Sequence, residues 1–248
     1  MARNFNGTTQ YLDHAAAVKS AEPVSFSAWI NPTTNGTDDV VGIFNTAGAG
    51  RLTLGTFTSG LDIGCRASTG GAGVSADTSN VVSPNSGWHH IAATFASTTQ
   101  RISFLDGDLG NAGLNTAGSS AASLNNTAIG VSNISSQTRW FTGDIAEVAI
   151  WSVALDSNEI VALSKGFSPL RIRRGNLLLY TPLLGQSPEP DFTANNRAMT
   201  LNNSPTYASH APVMPWFSFD DMQMPYITAV VAGHGLLLGG KRNYGIRA

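Results

Sequence analysis

The sequence predicts an all-β protein, two antiparallel sheets packed as a sandwich or jelly roll, with one short helix and an extended C-terminal arm. Three observations carry this. A chain of 248 residues with 42% hydrophobic content can bury a core without staples. Only 12% of residues are charged, about half the usual ~25%, and 25 Ser, 23 Thr, 19 Asn and 26 Gly take their place. That composition suits short strands and tight turns and disfavours helical bundles, which need Glu, Lys and Leu. Finally, apolar segments recur at spacings near ~8–12 residues with turn residues between them.

Taken in order, Val24 to Ile30 alternates and stops at Asn31-Pro32. Val40 to Phe44, Arg51 to Phe57 and Leu61 to Arg66 follow, separated by Gly, Asn and Thr. Trp88 to Phe95 and Arg101 to Leu105 read as a hairpin pair, the second closing on the turn dipeptide Asp106-Gly107. Ala128 to Val131 and Asp144 to Trp151 complete the series. Asp156 and Glu159 then form a capping box, with Leu155 and Ile160 as its hydrophobic staple. Leu163 continues the apolar stripe and Lys165-Gly166 ends a single short helix.

Composition shifts after Gly166. Eight of the eleven prolines lie between Pro169 and Pro225, so this stretch should run extended over surfaces, with Leu177 to Tyr180 as one further strand. The predicted organisation is a jelly roll over 1–166, a Pro-rich extension packing on it over 167–210, and an assembly or attachment arm over 211–248. In the arm, Trp216, Phe217, Phe219, Met222, Met224, Tyr226 and Ile227 crowd together without a helical or strand period, and Leu236 and Leu237 follow among glycines. These residue types are the ones enriched in interface cores. They are read as docking onto a second copy of the chain or onto another protein.

A net charge of −2 gives no field to steer the chain to nucleic acid. No apolar stretch approaches the ~20 residues of a membrane span, and no signal-peptide pattern follows Met1. A single cysteine, Cys65, excludes an internal disulfide framework and any Cys-based zinc site.

Phe5-Asn6-Gly7-Thr8-Thr9-Gln10-Tyr11-Leu12 with Phe26-Ser27-Ala28-Trp29-Ile30 resembles the opening of laminin-G-like, concanavalin-A-like domains. Gly87-Trp88-His89-His90-Ile91-Ala92-Ala93-Thr94-Phe95 and Phe104-Leu105-Asp106-Gly107 resemble their central strand and hairpin. The run from Phe141 to Trp151, then Ala154-Leu155 and the capped helix, resembles their closing strand. The resemblance covers roughly 5–166 and implies a two-sheet jelly roll. Leu177 to Leu183 through Ser209 to Val213 looks like an extension carried by such domains in tailed-phage and bacterial genomes, which implies a virion protein.

Several constellations bear on chemistry. Glycosidases of the resembled superfamily carry a Glu-x-Asp-x-x-Glu run on one strand, where even spacing sets carboxyls on one face. Here the nearest feature is Asp144-Ile145-Ala146-Glu147, with Thr142 before it; its odd spacing points the two carboxylates to opposite faces and argues against an enzyme. His89 and His90, being adjacent, should also face opposite ways, one packed and hydrogen-bonded and one at the surface. Gly70-Gly71-Ala72-Gly73 lacks the Lys and the strand–helix context of a phosphate loop. The resemblance implies calcium at a loop rim, for which Asp38, Asp39, Asp106 and Asp108 are the available carboxylates, none matching a family motif. Of the strand tryptophans, Trp29, Trp88 and Trp151 are expected between the sheets. Trp140, beside Arg139 and after a polar loop, is the candidate sugar-stacking or protein-contact residue. Arg171-Ile172-Arg173-Arg174 is a small basic cluster.

The reading that follows is a non-catalytic virion structural protein, a capsid decoration or tail-associated one, that displays a lectin-like jelly roll and docks through its arm. Its partners would be itself or other virion proteins, and cell-surface glycans. The alternative is a glycan-binding adhesin, and the second alternative a superfamily glycoside hydrolase. No cofactor other than calcium is implied.

Overall fold

The computed structural model describes residues 1–213 apart from 49, 58–60, 70–72 and 120. Every arm residue named above, from Trp216 to Leu237, therefore lies outside the described residues. The first sheet runs in the order β10 (Gly113–Asn115), β9 (Gln100–Leu105), β8 (His89–Ser97), β3 (Val24–Pro32), β12 (Thr142–Trp151), β1 (Ala2–Asn6), β15 (Thr206–Ala208), and β13 (Leu177–Thr181) also pairs with β12. The second runs β14 (Thr200–Asn202), β2 (Tyr11–His14), β11 (Asn126–Ile129), β4 (Asp38–Phe44), β5 (Arg51–Phe57), β6 (Asp62–Ser68), β7 (Val74–Val81). All pairings are antiparallel, and the two sheets form a jelly-roll sandwich.

Period-two alternation builds the core. Leu52 and Leu54 of β5, Ile63, Cys65 and Ala67 of β6, and Ile43 of β4 meet Phe26, Ala28 and Ile30 of β3 and Ile91, Ala93 and Phe95 of β8 between the sheets. Burial pushes the Cys65 thiol up to about 12, so it behaves as a small apolar residue. Phe26 and Phe95 touch edge to face at 5.8 Å.

The tryptophans correct the expectation from sequence. Trp151 is fully buried, but on the outward side of the first sheet, with Ala149, Phe104 and Tyr180 under the helix α1 (Ser157–Ser164). Its indole Nε1 donates to the Ile172 carbonyl at 2.8 Å. Trp29 packs on that same side against Ala2, Ala146 and Ala211, and Trp88 is only half-buried there. The reason is parity. Trp29 lies one residue from Ile30 and Ala28, which face the core, and Trp151 one from Ile150. Helix α1 carries the capping box expected at Asp156 and Glu159, and Arg173 of the basic cluster pairs with Glu159 at 2.5 Å, closing its first turn.

Two bulges break the alternation where acidic residues sit. Against β3, Ala146 pairs with Trp29 and Ala149 with Ser27, so β12 carries one extra residue there. That residue group includes Glu147 at φ 55. Likewise Asp39 pairs with Gly55 and Val41 with Leu54, so β4 gains one residue and both Val40 and Val41 face the core. The bulge leaves Asp39 on the outward side of the second sheet.

The extension is more deeply woven than the proline count suggests. Beyond β13, it supplies β14, which pairs with β2, and β15, which pairs with β1. Residues 1–213 make one unit, with three strands contributed from beyond Gly166. Arg3 anchors this return: its side chain bonds Glu189 at 2.5 Å and the carbonyls of Pro205 and Gln186.

Candidate functional site

The outward face of the second sheet collects the chemistry. Because Leu52 and Leu54 face the core, Arg51, Thr53, Gly55 and Phe57 of β5 face out; by the same parity Gly64 and Arg66 of β6 join them. Register sets Gly55 beside Gly64, and Gly42 beside Thr53. The glycines are a steric requirement. A Cβ on Gly64 would overlap the Phe57 ring and the Asp77 carboxylate, and one on Gly55 would overlap the Asp38 carbonyl. Side chains from neighbouring positions lie across this low floor. The Arg66 guanidinium carbon sits 4.7 Å from the Phe57 ring centroid and that of Arg139 5.8 Å from it.

Arg139 arrives from the segment before β12 with φ 52, and its carbonyl accepts from the Asp39 amide at 3.1 Å. Asp39 is fully buried, yet both its carboxylate oxygens lack hydrogen-bond partners. The same holds for Thr53 Oγ1, Arg51 Nε, Arg66 Nε and Arg139 Nη1. Six buried polar atoms without partners on one patch are unusual, since a folded chain satisfies nearly all of them. Among the described residues, no carboxylate comes within 4.0 Å of the guanidinium nitrogens of Arg51, Arg66 or Arg139. Burial draws the Arg51 and Arg66 values down, and nearby Arg139 adds to this. Burial, with Asp39 alongside, raises Asp38 to about 6 against the pull of Arg139.

Next to this patch lies an aromatic one. Trp140, half-buried, meets Tyr11 edge to face at 5.8 Å over Phe44, Ala128 and Val131. Arg51 Nη1 reaches Ser132 Oγ at 3.3 Å, tying the arginines to the loop that ends in Trp140. Asp13 accepts from Asn126 at 3.0 Å and Asn202 at 2.9 Å, a polar border beyond the aromatic pair.

The structure thus brings Arg139, Trp140 and Asp39 to one face; Asp38, paired with Thr56, has the opposite parity but lies within the field of Arg139, while Asp106 and Asp108 stand elsewhere. Asp106 ends the β9 hairpin, its oxygens held by His89 Nδ1 at 2.8 Å and the His90 amide at 2.8 Å. Asp108 accepts from the Gly110 amide at 2.8 Å and from Asn111 in its own turn. Among the described residues, no group of three or more His, Cys, Asp or Glu is placed to hold a metal. His90 is buried against Ser27 Oγ at 2.9 Å, and burial lowers it to about 3, so it stays neutral; His89 is half-buried at the rim.

One sequence expectation is overturned. Asp144 and Glu147 do not face opposite ways, because the β12 bulge adds a residue between them. Asp144 accepts from Asn4 at 2.7 Å and Asn31 at 3.1 Å on the outward side of the first sheet. Glu147, 6% exposed, turns to that same side, accepting from the Tyr180 hydroxyl at 2.6 Å with His210 Nε2 at 3.2 Å. Sequence reading missed Arg51, Thr53, Phe57 and Arg66. The available signal was two arginines at outward positions of adjacent, otherwise apolar strands.

This architecture has relatives. Residues 6–161 match the concanavalin A-like lectin/glucanases superfamily, and the chain belongs to it. Among solved structures, a candidate carbohydrate-binding protein from Bacteroides ovatus superposes with TM-score 0.59 at 20% identity, covering 86% of this chain and 61% of that one. This chain thus spans less than two thirds of that protein's length. The heptameric SAP-like pentraxin of Limulus polyphemus gives 0.57 at 9% identity, covering 81% and 93%. Domain 4 of an extracellular GH43 arabinanase from Geobacillus stearothermophilus, solved in complex with arabinotriose, gives 0.51 at 18%, covering 66% and 76%. At these identities the likeness is one of fold. No curated protein sequence matches the chain.

Proposed function

We propose that this chain is a non-catalytic glycan-binding module whose ligand lies across the outward face of the second sheet, over Trp140, Arg139 and Arg66. The observation that carries this is the juxtaposition of six buried, unpartnered polar atoms with a half-exposed aromatic pair. Saccharides present hydroxyls that both donate and accept, together with a C–H face that stacks on aromatic rings, and a site for them needs both. The superfamily, and the carbohydrate-related descriptions of the Bacteroides and Geobacillus structures, support it. Hydrolysis is disfavoured because the Asp144 and Glu147 carboxylates are already occupied by Asn4, Asn31, Tyr180 and His210, and Glu147 is buried. A reacting bond needs both an acid and a base or nucleophile within reach.

The test is titration of an oligosaccharide panel against wild type and Trp140→Ala. Loss of one stacking contact is expected to weaken binding about tenfold, since ~1.4 kcal/mol corresponds to that factor. A variant that binds as wild type, or turnover of any panel member, overturns the reading. Virion display is a further layer on this function rather than a competitor. It rests on the resemblance of Leu177 to Val213 to an extension in tailed-phage genomes and on the composition of residues 211–248, and a displayed domain would use the same face.

A further inference from the structure

We infer that the ligand is a sugar acid, a saccharide with one carboxylate among free hydroxyls, whose carboxylate is held by the half-exposed guanidinium forks of Arg66 and Arg139. This rests on the glycan-binding reading and narrows it to a chemical class.

The argument begins with charge. Two guanidiniums converge on the single Phe57 ring, which is 2% exposed and cannot move aside. The shared ring holds two like charges near each other. Such an arrangement calls for an anion. Within the fold the Asp39 charge acts on Arg66, but it forms no ion pair: neither oxygen has a hydrogen-bond partner. With Arg51, the patch holds three positive charges against Asp39 and Asp38, the latter raised to about 6 and so mostly ionised at neutrality. The remaining charge balances one anionic group. It does not suit a densely sulfated or phosphorylated chain, which Asp38, Asp39 and the exposed Asp77 would repel.

Geometry then selects carboxylate. A planar guanidinium fork matches a planar carboxylate through two parallel N–H···O bonds, and Arg66 and Arg139 are both half-buried with no side-chain hydrogen bond among the described residues. The same patch holds three unpartnered acceptors, the two Asp39 oxygens and Thr53 Oγ1. A simple carboxylic acid cannot satisfy them. Sugar hydroxyls can, since each carries a proton to donate. A molecule bearing both groups on one ring fits the whole set, and Trp140 lies on the adjoining patch to stack the next ring.

The experiment uses the full chain and calorimetric titration with matched probes: oligogalacturonate, oligomannuronate and sialyllactose, each beside its carboxyl-reduced counterpart, plus a sulfated galactan oligosaccharide and an acidic peptide. The expected result is binding of at least one carboxylated probe that weakens tenfold or more on reduction to the alcohol. Arg66→Met and Arg139→Met should each reproduce that loss, while Arg66→Lys, which keeps charge but not the fork, should recover only part of it. Thermal midpoints of all variants report whether they fold, and a ligand-induced midpoint rise in wild type gives an independent readout. Equal binding of reduced and native sugars would overturn the acid inference and leave glycan binding standing. Preference for the sulfated probe or the peptide would overturn it as well. Binding of no saccharide would defeat both readings together.

Discussion

Replacing Glu147 by Gln tests how the returning segment is fastened to the first sheet. The carboxylate is 6% exposed, takes the Tyr180 hydroxyl at 2.6 Å and meets His210 at 3.2 Å. The Glu147 carboxylate, 3.2 Å from His210 Nε2, raises the imidazole above its ordinary 6.5, while its burial and the Met1 ammonium oppose. Desolvation and the Glu147 charge raise the Tyr180 phenol, so it stays protonated and donates. Hydrogen bonds to a charged group contribute about 1.5–3 kcal/mol and neutral ones about 0.5–1.5. Removing the charge while keeping the shape should therefore cost about 1–3 kcal/mol in total, or a midpoint drop of about 3–10 °C in a protein of this size. The pH dependence has a definite sign. A group whose value rises on folding contributes fully below its unfolded value and loses that contribution as pH climbs through the folded one. His210 stabilisation is thus complete below about pH 6.5 and is lost as pH climbs through the raised folded value. His90, lowered to about 3, acts oppositely and only below 6.5, so the window above that belongs to His210. Urea unfolding of wild type, Glu147→Gln, His210→Gln and the double variant at both ends of this window measures the coupling directly. If Glu147→Gln unfolds at the wild-type midpoint near pH 6.5, or His210→Gln leaves the pH slope unchanged, the latch does not exist.

Two further outcomes follow from burial and charge. Trp151→Ala should cost about 3–5 kcal/mol, because a fully buried indole with a hydrogen bond to Ile172 is lost, whereas half-buried Trp88→Ala should cost clearly less; equal losses by denaturant unfolding would contradict the placement of Trp88. Affinity for a carboxylated oligosaccharide should rise as pH falls through about 6, where protonation of Asp38 removes a negative charge beside Arg139, and Asp38→Asn should abolish that dependence; a persistent dependence in the variant refutes it.

Most strands were legible because period-two alternation and turn residues are local signals. Val24 to Ile30 and Asp144 to Trp151 fall inside β3 and β12, and the Asp156 cap sits where the capping box put it. What escaped was the sidedness of residues near bulges. An extra residue in β12 changes the direction of Glu147, and one in β4 turns Asp39 outward, yet neither leaves a mark in composition. The site was half legible for a related reason. Trp140 and Arg139 stood out at the end of a polar loop, whereas Arg51 and Arg66 acquire meaning only when register sets β5 beside β6 and parity turns both outward. The three-residue strands β14 and β15 were illegible, being too short to show alternation and lying among prolines.

Those two short strands have a consequence for biosynthesis. β1 and β2 are made before every other strand of this sandwich, and among the described residues their outer backbone groups are met by residues 200–208. Until residues 200–208 follow, each of these strands carries a row of unpaired amides and carbonyls, the template on which nascent chains cross-pair. Closure of this sandwich therefore waits for residues 200–208, and Arg3, held by Glu189 and its neighbouring carbonyls, fastens it. Substitutions that weaken that capture would show as lost soluble yield during synthesis and as a lower melting temperature of the purified protein, because breaking a buried ion pair costs about 3–5 kcal/mol.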